Sequence, residues 1–165
     1  MMTEQKQGAA IGTRYPLLFT YRDTLFGNAS VLEVQATSGR ALCIKESEDE
    51  YWIYGINPGG MAAYGSSPDA AYTAFRKAFS HILIDLANDV GTFEAFQAAV
   101  AKLFNETNVG YESDWQHAIL AVQRGEVSLE GVPIVPANSP PAHAVLDHLI
   151  SWTRRAQSQA RRTAP

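Results

Sequence analysis

The sequence is poor in the features that announce a function. It has one cysteine, Cys43, in 165 residues. That excludes an intramolecular disulfide and any cysteine-cluster metal site. Cys43 lies in a strand-like run and reads as a buried, inert thiol. No run approaches the roughly 18 to 20 apolar residues that span a bilayer. The N-terminal "MMTEQKQGAAIGTR" has no apolar signal core, so no membrane association and a cytoplasmic location are the expectations. Charge of one sign is also scarce. Seventeen acids against thirteen Lys and Arg leave a net charge of −4, with no global pull toward nucleic acid. What is present is ordinary for a globular chain: 46% hydrophobic and 18% charged residues, at a length that buries a core without metals.

Residues 1–13 are polar and read as a disordered leader. From Tyr15 the pattern has period two. Leu17, Phe19 and Tyr21 share one face. Phe26-Gly27-Asn28 reads as a turn, then Leu32, Val34 and Ala36 share a face. Ser38-Gly39 reads as a second turn, before a strand with Leu42 and Ile44 on one side. The acidic "SEDE" run turns the chain again, and its carboxylates read as a solvated loop. Trp52, Tyr54 and Ile56 line one face of the next strand. Connections this short predict an antiparallel meander.

A long helix follows Gly65. Ser67 is its N-cap, Pro68 occupies the first helical position, and Asp69 favours the positive end of the dipole. Ala71, Phe75, Ala78, Phe79, Ile82 and Leu86 form its apolar stripe, and Gly91 ends it. A second helix is predicted near Phe93 to Asn105, and a third over Glu112 to Arg124. Residues 130–141 are proline-rich and read as a linker. A last helix is predicted over Ala142 to Ala156, in a segment 142–165 that ends in a basic tail. Strands first and helices after define an α+β class: a four- or five-stranded antiparallel sheet with helices on one face, in a core spanning residues 14–91, followed by a helical extension over 92–129.

Candidate chemistry is sparse. His81 and His117 sit in predicted helices, and His143 and His148 are five apart, which splits them around a helix rather than pairing them as ligands. Asp85 and Asp89 are four apart but lack further ligands in any recognisable pattern. Tyr51 to Ala71, "YWIYGINPGGMAAYGSSPDAA", raises a phosphate cradle as a possibility. No lysine follows Gly59-Gly60, a strand intervenes before the helix, and Asp69 would repel an anion. The segment therefore reads as a turn followed by a capped helix, its glycines placed for backbone conformation.

Residues 51–87 resemble the HicB-like antitoxin family. The resemblance rests on "YWIYGINPGG", "MAAYG" and "SSPDAAYTAFRKAFSHILIDLA", and the matching positions are Pro58, Gly59, Gly60, Gly65 and Ala70. It implies a small antiparallel sheet packed by a helix. It also implies a non-enzymatic role in binding a small toxin ribonuclease, with DNA binding through an appended segment in many members. Pro58, Gly59, Gly60, Gly65, Ser67 and Pro68 are structural in this reading, and no cofactor is implied. Residues 92–165 do not read as a ribbon-helix-helix.

Three functional expectations follow. The first is a HicB-like protein-interaction module, binding a partner or itself. Phe93, Phe96, Phe104, Tyr111, Trp115 and Trp152 either pack within the helical half or face a second copy in a homodimer. The second is an enzyme whose site assembles only in three dimensions, with Tyr21, Arg22, His81 and Asp85 as the group to watch. The third is a nucleic-acid-binding regulator using Arg154, Arg155, Arg161 and Arg162.

Overall fold

The computed structural model describes residues 9–26, 31–127 and 143–148. Their elements are β1 (Arg14–Phe26), β2 (Val31–Ser47), β3 (Glu50–Asn57), β4 (Ala62–Gly65), α1 (Pro68–Asp89), α2 (Phe93–Asn105), α3 (Val109–Gln123) and β5 (His143–His148). The sheet has five strands in the order β1-β2-β3-β4, with β5 also on β2, and every pairing is antiparallel. The fold is α+β, with the expected meander at its centre.

The predicted turn at Ser38-Gly39 is instead the middle of one long strand. Phe19 pairs with Gly39 but Tyr21 pairs with Ala36, so β2 carries one extra residue there. This is a β-bulge, and it reverses which face odd and even residues take. Leu32, Val34 and Ala36 before it, and Ala41 and Cys43 after it, consequently enter the same core. Leu42 and Ile44 point to the opposite side. Glycine belongs at this position because a Cβ on Gly39 would run into the Phe19 ring.

The bulge also explains why helices lie on both faces, where the sequence pattern predicts one. On the first face α1 buries Ala71, Phe75, Phe79, Leu83 and Ala87, and α2 buries Phe96, Val100 and Phe104. Their rings meet edge to face: Phe19 and Phe75 at 5.3 Å, Tyr21 and Phe79 at 4.5 Å, Phe79 and Phe104 at 5.7 Å. On the second face α3 sets Trp115 and Ala118 against Leu42, Ile44 and Ile56.

Helix ends follow local chemistry. The Ser67 hydroxyl accepts from the Ala70 N–H at 3.1 Å, as a cap should. Thr92 caps α2 in the same way, its hydroxyl accepting from the Ala95 N–H at 3.1 Å. Helix α1 ends at Asp89 with Val90 extended as its C-cap, so Gly91 is the first residue past the cap. Helix α3 starts at Val109, not Glu112, because Asn108 accepts from the Gly110 N–H and caps it.

The predicted helix over 142–156 is overturned where it can be seen: His143–His148 is a strand. Strand β3 pairs only with Arg40 to Ser47 of β2, which leaves the edge from Leu32 to Thr37 for another strand. The need to pair those backbone groups outweighs the helical spacing of Val145, Leu149 and Trp152. The linker over 130–141, residues 1–8 of the leader expected over 1–13, and the tail from 149 onward lie outside the described residues.

The outer edge of β1 is handled by α1. Thr13 offers its carbonyl to the Lys45 N–H, so odd residues of β1 bond toward β2 and even ones face outward. Pro16, with no N–H, sits on that outward register. The outward carbonyls of Thr20 and Arg22 accept from the Tyr72 hydroxyl (3.4 Å) and Arg76 Nη2 (2.8 Å). Two side chains one helical turn apart thereby blunt an edge that would otherwise invite another strand.

Candidate functional site

The Pro58-Gly59-Gly60 turn is a joint. The Gly59 N–H donates to the Glu106 carbonyl at 2.9 Å, and the Asn108 N–H donates to the Ile56 carbonyl at 3.0 Å. These bonds clamp the end of β3 to the connection between α2 and α3. A Cβ on Gly59 would lie 2.5 Å from the Asn108 nitrogen. One on Gly65 would fall on the backbone of Ala70 and Ala71 at the start of α1. Neither glycine has a positive φ, so close approach of backbone to backbone explains them, not a left-handed conformation. Gly60 has no neighbour within 4 Å of such a Cβ. Pro58 is buried and follows a cis peptide bond.

Above this joint lies a polar cluster centred on Arg40. Arg40 forms a bidentate pair with Glu112, at 2.7 Å from Nη1 to Oε1 and 3.0 Å from Nη2 to Oε2. Its Nε donates to Asn57 Oδ1 at 2.7 Å, and its guanidinium lies 4.8 Å from the Trp115 ring centroid. Asn57 is buried, and its amide donates to the Phe104 carbonyl (3.1 Å) and the Thr107 hydroxyl (2.9 Å). The cluster thus ties β2, β3, the α2–α3 connection and α3 together. Hydrogen bonding from Arg40 holds the Glu112 carboxyl below the usual carboxylate range, against a smaller opposing effect of burial.

The depressed Glu112 value sets a pH dependence. A carboxyl with a lowered folded pKa stabilises the fold above its ordinary value of 4.5, and that contribution fades as pH falls through the lowered value. Glu112→Gln is therefore expected to destabilise the protein at pH ~7 and to do so less as pH falls below the ordinary carboxylate range. Urea unfolding midpoints across that range check this; a difference that does not shrink as pH falls counts against the assignment.

Beside the cluster, on the same face of the sheet, runs a row of aromatic rings. Tyr64 stacks on Trp52 at 4.9 Å, Trp52 on Tyr54 at 5.8 Å, and Tyr54 on Tyr111 at 4.6 Å. The residues come from β4, β3 and α3, and the β3–β4 register sets Trp52 opposite Tyr64. Helix α3 covers only the Tyr54 end. Trp52 is half-buried and Tyr64 is 62% exposed. Two acids of the β2–β3 hairpin attend the row. Glu50 accepts from Trp52 Nε1 at 2.5 Å, and Glu46 accepts from the Tyr54 hydroxyl at 3.4 Å. Burial, with Tyr111 and Glu46 adding, pushes the Tyr54 phenol up to about 12, so it stays a neutral donor.

The residues singled out from the sequence fare unevenly. Pro58 is buried, Gly59 and Gly65 lie against neighbouring backbone, Ser67 caps α1 with Pro68 first in that helix, and a Cβ on Gly60 would meet nothing within 4 Å. Tyr21, Arg22, His81 and Asp85 are not brought together. The Tyr21 hydroxyl is bonded to Ser80 at 2.7 Å, Arg22 pairs with Glu33, and His81 and Asp85 are exposed on α1. Cys43 is buried, which pushes its thiol up to about 11. Among the described residues no three His, Cys, Asp or Glu side chains cluster as metal ligands. No described helix is long and apolar enough to cross a membrane. Phe96, Phe104 and Trp115 are buried within the chain, whereas Phe93 and Tyr111 are half-buried. Arg154, Arg155, Arg161 and Arg162 lie outside the described residues, as does Trp152.

The row as a whole is not legible in the sequence. Trp52 and Tyr54 were visible as one face of a strand, but Tyr64 and Tyr111 join them only through the hairpin register and the docking of α3. The fold and this site describe an α+β protein with an aromatic, acid-rimmed sheet face. Compared with family models, curated proteins and solved structures, the chain matches none.

Proposed function

We propose that the chain is a HicB-like protein-interaction module that binds its partner on the uncovered end of the sheet face. The observation that carries this reading is the row Tyr64–Trp52–Tyr54–Tyr111, which leaves Tyr64 exposed and Trp52 half-buried beside the hairpin. Tyr and Trp are enriched at the energetic centres of interfaces because they offer large, stiff surfaces with one polar handle. The resemblance of residues 51–87 to HicB-like antitoxins supplies the kind of partner: a small toxin ribonuclease, neutralised by binding.

Co-expression with the product of an adjacent small reading frame tests the proposal. The two chains are expected to co-purify as a stable complex. Trp52→Ala and Tyr64→Ala are each expected to weaken it by about tenfold or more, the scale of an interface hot spot. A complex that withstands both substitutions would move the interface elsewhere, and no complex at all would sink the antitoxin-like role.

A further inference from the structure

The acids beside the aromatic row say what kind of side chain it would receive. Rested on the reading above, we propose that the open end of the row, formed by Glu46, Glu50, Trp52 and Tyr64, is a binding site for an arginine side chain carried by the protein partner.

Ile44 pairs with Trp52, Leu42 with Tyr54, and Trp52 with Tyr64, so these residues run in parallel rows across the sheet. Glu50 lies two residues before Trp52 on β3, on the same face, and reaches its indole N–H. Glu46 reaches the hydroxyl of Tyr54 from the other strand of the hairpin. In each contact one carboxylate oxygen is used, and the second takes no hydrogen bond among the described residues. The acids are therefore held in place by the aromatics while keeping acceptor capacity for a further donor.

Among the described residues no cation fills this demand. Lys45 packs with the opposite face, where its Nζ is bound to the Ala9 carbonyl at 2.7 Å and Glu48 at 3.3 Å. Arg14 is engaged with Asp114 at 3.6 Å. The open end of the row is left with the two hairpin carboxylates and the exposed Tyr64 ring, a surface complementary to a cation.

Arginine rather than lysine follows from the shape of the acceptors. A flat ring and a carboxylate together suit a planar guanidinium, which stacks and donates in a fork at once. The molecule already contains this arrangement in finished form. On the same face, Arg40 lies over Trp115 and pairs with Glu112 through both terminal nitrogens. Glu50 with Trp52 and Tyr64 repeats the carboxylate and the ring, with no arginine on them among the described residues.

Calorimetric titration of the full chain with hexa-arginine tests this, with hexa-lysine as the comparison and Tyr64→Ala and the double variant Glu46→Gln/Glu50→Gln as controls. Saturable, salt-sensitive binding of hexa-arginine is expected, with hexa-lysine at least about fivefold weaker and each variant losing about tenfold. Tyr64 is exposed, so its variant keeps the fold, and an unchanged thermal midpoint verifies it. No binding by hexa-arginine overturns the inference. If the partner complex nonetheless forms, the module reading stands without it. Equal binding of hexa-lysine overturns the guanidinium assignment, and unchanged binding by both variants overturns the location. In a further variant Arg154, Arg155, Arg161 and Arg162 are replaced by glutamine. If hexa-arginine binds only to that variant, the chain's own tail is the occupant and the partner assignment falls.

Discussion

Phe79→Ala is expected to lower the stability of this protein by about 3–5 kcal/mol, the range for removing a fully buried phenylalanine. Phe79 has no exposed surface and sits where three elements meet. Its ring contacts Tyr21 and Phe19 of β1 and Phe104 of α2 edge to face, at 4.5, 6.3 and 5.7 Å. The loss has two parts: the transfer of the ring and the cavity it leaves. The cavity resists collapse because its walls belong to a sheet and two helices, each anchored by other contacts. For a chain of 165 residues the thermal midpoint should fall by roughly 10 °C. Urea denaturation checks it: the midpoint moves while the slope holds. A shift worth less than about 1 kcal/mol would mean that the ring cluster is not the centre of the core. Phe79→Leu keeps most of the volume and should cost about half as much or less.

Two adjacent glycines are expected to behave oppositely. Gly59→Ala should destabilise by about 3 kcal/mol, at the upper end for forcing extra volume into a packed site. The new Cβ meets the Asn108 nitrogen at 2.5 Å and the Glu106 carbonyl at 2.7 Å, and both are backbone. Backbone cannot rotate away as a side-chain tip can. Relief requires pulling apart the two backbone hydrogen bonds that join this turn and the end of β3 to the α2–α3 connection. Asn108 is also the cap of α3, so the strain should propagate to the Arg40–Glu112 pair on that helix. Gly60→Ala places its Cβ in open space at an ordinary φ. It should leave stability unchanged, or raise it by up to ~1 kcal/mol by restricting the unfolded chain. Denaturation of the two variants side by side is the measurement. Equal effects would show that the joint does not close as described. Amide exchange at Gly59 and Asn108 gives a local readout, expected to quicken in Gly59→Ala alone.

Much of the local structure was readable because it is set by local chemistry. Ser67, Pro68 and Asp69 specify the start of α1 through capping and dipole effects that need no partner. The spacing of Ala71, Phe75 and Phe79 specifies which side of α1 faces the core. The short hairpin connections specify antiparallel pairing, since parallel strands need a long crossover. The α+β class follows from those alone. The choice between a turn and a bulge at Ser38-Gly39 does not. Both use the same small polar residues, and only the Phe19 ring lying against Gly39 decides for a continuous strand. The same limit produced the helix expectation over 142–156, where the deciding fact is an unpaired stretch of β2 more than a hundred residues away.

The candidate site shows this division most clearly. Period-two alternation put Trp52 and Tyr54 on one face, and the "SEDE" run marked the neighbouring hairpin as acidic. Those are properties of single residues and of strand geometry, and the chain carries them unaided. Stacking them with Tyr64 and Tyr111 required the register of β4 on β3 and the seating of α3, fixed in turn by the backbone clamp at Gly59. Pairing Arg40 with Glu112 across 72 positions likewise depends on that seating. Propensity and pattern act over a few residues, whereas register and docking are settled by the whole core. The sequence by itself therefore determined the class and the elements that local chemistry specifies, and the tertiary structure alone decided the strand at His143–His148 and which aromatics and acids stand together.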